Sequence, residues 1–387
     1  MKSCINLIGA LLLGGLALAA PADELRGTGD LGIAVERATG SLQRLDTTHK
    51  KLLGRTEGLG DLSHASVVFS RDERYAYVFG RDGGLTKVDM LTGQIAKRVI
   101  QSGNSIGGAI SQDGRYIAAA NYTPGGVKIF DSVTLDLVAD IPTESKVIGL
   151  EDVSGNRFAF SLWDKGEIWV ADLADDPKKP KLTKFAHIGT QPYDALVSPD
   201  GRWYIAGLYG ENGLAVLDLW NLDAGVKRAL PDYGRGEEKL PVYKMPHLET
   251  WAMVGNHAFI PGVGRHEVVI VDTATWTQAG VIPVAGQPVF VMAQPDGRRL
   301  WVNFAFPHYD TVQIIDVPSQ KIVHTLQPGK AVLHMEFTPR GENVWLSVRD
   351  ANLLEIYDTA SFKKLAELPA EQPSGIFFTA RAHRTGL

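Results

Sequence analysis

Residues 192–218 read PYDALVSPDGRWYIAGLYGENGLAVLD, and the order of their parts decides the fold. A first apolar run stops at Pro199-Asp200-Gly201, a turn signal whose glycine supplies the positive φ that a tight hairpin needs. A second run, WYIAGL, follows, then a loop, then LAVLD closing at Asp218. Both runs are of strand length, rich in β-branched and aromatic residues, and carry no helical period.

The same pattern repeats in both directions. LQRLD ends at Asp46, TKVDM holds Asp89, VKIFD ends at Asp131 and IWVAD at Asp172. Beyond the opening stretch, VVIVD ends at Asp272, VQIID at Asp316 and LEIYD at Asp358. Successive aspartates stand 41 to 54 residues apart, the length of a four-stranded propeller blade. The widest interval is explained by reading residues 231–246, rich in Gly, Glu and Lys, as a long loop. The repeated aspartates read as turn residues. The ends of the chain hold no whole copy. Residues from about Gly32 to Thr56 supply three strands without a first, and PSGIFFTA at 373–380 supplies a first strand and stops. Joined in one blade, the two ends close the ring and leave no open sheet edge. The sequence thus predicts an all-β, eight-bladed β-propeller of four-stranded antiparallel blades, formed by residues 21–387 as one domain.

Composition narrows the function. The chain has 387 residues, 44% hydrophobic and 21% charged, with a mean hydropathy of −0.05 and a net charge of −5. That balance is globular, and it lacks the basic excess that a nucleic-acid partner requires. A single cysteine excludes a disulfide framework, an iron–sulfur cluster, a thiolate zinc site and a c-type heme, which needs Cys-x-x-Cys-His. Residues 1–20 read as a signal peptide. Lys2 gives the positive start, Leu7 to Ala19 the apolar stretch, and Ala17-Leu18-Ala19 the cleavage motif, with cutting expected near Ala19-Ala20. Thirteen apolar residues are too few to span a bilayer comfortably, so no transmembrane segment is expected. Cys4 precedes the apolar stretch rather than ending it, so no lipidation is expected either. The expected location is the periplasm.

In a propeller the segment leading into each first strand, and the loop between second and third strands, meet at one mouth of the central channel. Those positions hold Ser63-His64-Ala65, Asn104-Ser105-Ile106, Val147-Ile148, Tyr193-Asp194, Pro246-His247-Leu248-Glu249, Val289-Phe290, Leu333-His334 and Ser374-Gly375. The loops add Arg81, Tyr122, Trp163, Tyr209, His266 and His308. His64, His247 and His334 occupy equivalent places in three blades. A lone histidine at a strand start is ordinarily structural. Three, with aromatic residues and cations around them, match a pocket for a flat, anionic, metal-bearing ligand. Other motifs are weak. Gly58-x-Gly60 lacks the βαβ setting of a dinucleotide site, there is no Gly-x-Ser-x-Gly elbow, and no spacing supports Asp194 and Glu249 as paired acids.

The segments LSHASVVFSRDERYAYVFGRDGGLTKVDM, QPYDALVSPDGRWYIAG, VYKMPHLETW, QPVFVMAQPDGRRLWVNFAFP, GKAVLHMEF and PSGIFFTARAHR resemble the NirF family of heme d1 biosynthesis proteins of denitrifying bacteria. More distantly, the chain is similar to the d1-heme propeller of cytochrome cd1 nitrite reductase. In that propeller a histidine just before a first strand ligates iron and a Gly-Arg-Asp-Gly turn follows. The resemblance therefore implies His64 as metal ligand and Arg81, in Gly80-Arg81-Asp82-Gly83, as a carboxylate-binding cation. Lys244 is the candidate for a second such cation. The resemblance implies Phe290, His334, Ser374 and Gly375 as further ligand contacts. The reductase's two distal histidines fall at Tyr193 and at His247, so Tyr193, Asp194 and His247 are the acid–base candidates, and a Tyr193 phenolate is a second possible iron ligand. The departures are one lost distal histidine and no cytochrome c domain, which argues against nitrite reduction.

The implied ligand is heme d1 or its iron-containing precursor. The implied partners are cytochrome cd1 nitrite reductase and the dihydro-heme d1 dehydrogenase. Two readings stay open at this level: a non-redox enzyme that modifies a tetrapyrrole side chain late in heme d1 synthesis, and a carrier that delivers the tetrapyrrole without turnover. A third, a propeller serving only as a scaffold, predicts no tetrapyrrole binding.

Overall fold

The computed structural model describes residues 26–231, 252–262 and 264–384. Their strands form eight four-stranded antiparallel sheets arranged as the blades of a β-propeller. Blade 1 runs outward from Ser66–Phe69 through Tyr75–Phe79 and Gly84–Asp89 to Ile95–Ile100. Blades 2 to 7 begin with the inner strands Asn104–Ile110, Val147–Val153, Pro192–Val197, Ala252–Val254, Pro288–Ala293 and Val332–Phe337. Blade 8 pairs the inner strand Pro373–Phe378 with Leu31–Glu36, followed by Ser41–Asp46 and Lys51–Thr56. The ring closes by one strand from the C-terminus and three from the N-terminus, as the repeat pattern predicts. The segment 1–20, and all of 231–246 except Pro231, lie outside the described residues. No helix among the described residues is long and apolar enough to cross a membrane.

Each blade is buried on its inner strands and half exposed on its outermost one. Val332–Phe337 is buried throughout, whereas Lys321–Leu326 and Lys364–Pro369 are mostly exposed and carry the lysines. The core lies between neighbouring blades: Trp301 meets Phe337 edge-on, and Trp345 meets Phe378 in the same way.

The repeated aspartates have the turn role expected of them. Each ends a third strand and accepts a backbone N–H two or three residues on. Asp89 takes Leu91 and Thr92, Asp131 takes Val133 and Thr134, and Asp272 takes Ala274 and Thr275. Asp46, Asp172, Asp218, Asp316 and Asp358 do likewise with His49, Ala174, Trp220, Ser319 and Ser361. These are Asx turns, which fix the hairpin into the fourth strand. The hydroxyl and N–H of Ser361 hold the Asp358 carboxyl below the usual range. Ser319 does the same for Asp316, and the N–H groups of Thr275 and Ala274 for Asp272. A carboxyl depressed in the folded state stabilises it above the unfolded pKa, and that stability is lost as pH falls through the folded pKa. The thermal midpoint is therefore expected to hold down to about pH 4, the unfolded aspartate value, and to fall steadily below it. Circular dichroism melts across that range check this, and a midpoint still flat at about pH 3 would refute it.

Candidate functional site

The mouth of the channel is built by one device used repeatedly. In six blades the inner strand slips register against its neighbour at its mouth end. The slips lie between Ser105 and Gly107, Ile148 and Glu151, Pro192 and Ala195, Pro288 and Val291, and Val332 and Met335. Blade 8 has the same slip, around Ser374 and Gly375. An extra residue in a strand re-aims the side chains beside it and leaves backbone groups unpaired. Of the residues inside these bulges, all but the core residue Val289 line one cavity: Ile106, Gly149, Leu150, Tyr193, Asp194, Phe290, Leu333, His334, Ser374 and Gly375. The freed backbone groups are met from the second strands. Phe290 N–H donates to Asn303 Oδ1 at 2.9 Å, whose Nδ2 reaches Val332 O at 2.9 Å, and His334 N–H donates to Ser347 Oγ at 2.9 Å. Asn303 and Ser347 are fully buried, so the bulges of blades 6 and 7 are each fixed by a buried hydrogen bond.

His64 reaches the same cavity from blade 1, two residues before the inner strand. Its loop is pinned rather than loose. Leu59 and Leu62 are buried in the core between blades 8 and 1. Asp61 accepts Ser63 N–H at 2.8 Å, and its carbonyl accepts Arg81 N–H at 2.8 Å. The Ser63 hydroxyl and N–H hold Asp61 ionised by lowering its pKa. With Ser66, Gly107, Gly108, Ile148, Phe377, Arg37 and Arg381, these residues enclose about 1220 Å³, counting the solvent in the open mouth.

The walls differ in character. Tyr193 lines one side, backed outside the cavity by Trp163, which meets it edge-on and packs on Tyr209. Opposite it, His334 lies between Phe290 and Phe377. Gly375 makes room there, because a Cβ at this position would come within 2.4 Å of the Phe377 ring. Beside Asp194, burial and then the Asp194 charge push the Tyr122 phenol up to about 12, so it stays protonated. Arg37 follows the second strand of blade 8. Burial, then the nearby Arg349 and Arg81 guanidiniums, pull it below the usual arginine value, while Asp61 acts the other way. Positive charge is thus gathered at one side of the mouth. At the far end the C-terminal turn Thr379–His383 lies across the channel. Arg381 holds buried Glu336 with two bonds of 2.9 and 2.8 Å, and Arg71 reaches both Ala382 O and Asp152.

Of the residues the sequence singles out, the structure brings His64, Tyr193, Asp194, Phe290, His334, Ser374 and Gly375 together in this cavity. Arg81 is not in its wall; it stands at the rim, close enough to act on Arg37 and Tyr122. Lys244 and His247 lie outside the described residues. Sequence reasoning missed Arg37, Phe377 and Arg381. Phe377 had a usable signal, two residues beyond Gly375 on the same strand. The one cluster of His and acidic residues with metal-ligand spacing among the described residues, Asp30, Asp46 and His49, is on the outside of blade 8, where Arg26 and Lys51 already neutralise Asp46.

Comparison with known proteins shows the family. The chain is 59% identical to Protein NirF of Pseudomonas aeruginosa over 97% of its own length and 98% of that protein's. It is 58% identical to Protein NirF of Stutzerimonas stutzeri over 96% and 97%. Among solved structures it matches the dihydro-heme d1 dehydrogenase NirN in complex with DHE, with a TM-score of 0.80 and 26% identity, covering 95% of this chain and 79% of that one. The cytochrome D1 heme domain family matches residues 26–382, and the chain belongs to that family.

Proposed function

We propose that this chain binds a d1-type tetrapyrrole in the propeller mouth and acts in heme d1 biosynthesis, helping a late change to a side chain of the macrocycle. The observation that carries this is the convergence in one cavity of an imidazole, facing aromatic walls and a carboxylate. The residues fit a flat iron tetrapyrrole. His64 supplies a nitrogen ligand, and Tyr193, Phe290 and Phe377 supply apolar faces. Gly107, Gly108, Gly149 and Gly375 line the slot with bare backbone, and Arg37, with Arg81 nearby, draws acidic side chains to one side. The match to a dehydrogenase solved with DHE supports the same ligand class.

Iron, when bound, would supply an anchoring point and fix the ring's orientation. The chain's own residues would do the rest. Asp194, in the cavity wall, would take a proton from water or a substituent, Tyr193 lines the wall beside it, and Tyr122 stays a phenol able to donate one. This is hydrolytic or acid–base work and needs no redox centre in the chain. Export to the periplasm, from the signal at 1–20, would put the protein beside cytochrome cd1 nitrite reductase and the dihydro-heme d1 dehydrogenase as partners.

The test is a visible-absorption titration of the mature protein with heme d1 and its late precursor, followed by mass analysis of the precursor after incubation. A saturable shift and a changed mass are expected. Tyr193→Phe and Asp194→Asn are expected to keep the shift while lowering turnover by at least about 100-fold, the scale of a lost acid–base group. Full heme d1 formation with both variants would make the channel a carrier. No shift with either ligand would defeat the proposal.

A further inference from the structure

His334 is held more tightly than a generic wall residue. It is 8% exposed. Phe290 meets its ring edge-on at 5.2 Å between centroids, and Phe377 covers it at 5.5 Å. Its own N–H is fixed by Ser347. Its Nδ1 faces the inner strand of blade 8, where Ile376 N–H donates to it at 3.3 Å. That strand is the innermost of its blade, so an N–H on its channel side has no neighbouring strand to pair with and needs a side-chain acceptor.

This contact sets the ring's chemistry. A nitrogen that accepts an N–H carries a lone pair and no proton, so the ring is neutral and its one proton is on Nε2. Turning the ring over would place carbon against Ile376 N–H and orphan it, so the hydrogen-bond network selects this orientation. Metal ligation through Nε2 needs a lone pair there, which the ring gains only by losing its one N–H proton or by moving it to Nδ1 and breaking the bond from Ile376. The two histidines of the cavity therefore have different roles.

We propose that His334 determines which tetrapyrroles the cavity accepts, by donating its Nε2–H to an oxygen on the macrocycle edge, a ring carbonyl or a carboxylate, and that it does not ligate the metal. The inference rests on the tetrapyrrole reading above and names the part of the ligand that is read.

Wild type, His334→Gln and His334→Leu would be titrated with three iron probes: heme d1, with ring carbonyls and carboxylates; heme b, with carboxylates only; and iron etioporphyrin, with neither. Leucine removes the donor, and glutamine keeps an N–H. We expect His334→Leu to lose about 10-fold in affinity for the probe that carries the recognised oxygen, the scale of one buried hydrogen bond, and nothing for etioporphyrin. Loss on heme d1 alone identifies the ring carbonyl; equal loss on heme d1 and heme b identifies a carboxylate. His334→Gln should recover most of the affinity. The axial-ligand spectrum should be the same in all three proteins. Equal loss on every probe, no recovery with glutamine, or a changed axial-ligand spectrum in the leucine variant would overturn the inference. If wild type binds none of the probes, the tetrapyrrole reading itself fails and the inference falls with it.

Discussion

His64→Ala is expected to abolish the metal-dependent absorption shift and to weaken tetrapyrrole binding by about 100-fold, equivalent to ~2.7 kcal/mol. The size follows from what else the cavity offers. The remaining walls supply apolar contact through Phe290, Phe377 and Tyr193, which holds a ring of any kind without fixing its centre. A metal–imidazole bond from His64 would be the contact that anchors the ring at its centre. The loop around His64 does not depend on the imidazole: Leu59 and Leu62 are buried, and Asp61 binds Ser63 and Arg81 through its own oxygens. The variant should therefore melt within a few degrees of wild type, and added imidazole should restore part of the shift. An unchanged shift in His64→Ala would move the metal ligand elsewhere, with the Tyr193 phenolate as the next candidate. Metal-free ring analogues give the complementary reading, since their affinity should be nearly the same in both proteins.

The parts of this molecule that are legible in its sequence are those set by local chemistry. Each blade is closed by an aspartate reaching its own backbone, and each first hairpin by a turn that glycine or aspartate favours, so the ring can be counted from Asp46 to Asp358. The cavity residues were legible for a related reason. Equivalent positions in successive blades converge on one axis, which places Tyr193, Phe290 and His334 together although the chain separates them widely. The bulges were not legible. An added residue at Tyr193-Asp194 or Leu333-His334 needs no glycine and leaves the apolar pattern intact; it shows only as a register slip against the partner strand. Arg37 was hidden by ring closure. Its blade takes its inner strand from residues 373–378, so a scan of loops from the first complete repeat onward passes it by. The protonation of His334 depends on Ile376, a backbone group in the next blade. No sequence motif encodes such a contact.

Phe378→Ala is expected to cost about 3–5 kcal/mol, and removal of residues 373–387 to leave the protein unable to fold. Phe378 is the key that locks the two ends of the chain. It is 2% exposed and meets Trp345 of blade 7 edge-on at 5.7 Å. On its other side it stands over Gly32 of the N-terminal strand, so closely that a Cβ on residue 32 would lie 2.5 Å from the ring. Thr379, the next residue, donates its hydroxyl to the carbonyls of Thr28 and Leu31. Losing the ring leaves a cavity against both blades that the stiff sheets cannot collapse to fill. Losing the whole strand also exposes Ile376 and Phe377 partners and opens the edge of Leu31–Glu36, a template for aggregation. Because Ser374, Gly375, Phe377 and Arg381 line the cavity proposed for the ligand, closure and binding would be the same structural event. Ligand should therefore raise the thermal midpoint of Phe378→Ala, by linkage to the folded state. Gly32→Val should reproduce the loss of stability from the opposite end of the chain, and combining it with Phe378→Ala should cost less than the sum of the two, since one removes the contact that the other crowds. Thermal melts of the three variants decide it: full additivity would mean that Gly32 and Phe378 act independently, and that the ring is closed by something other than their contact.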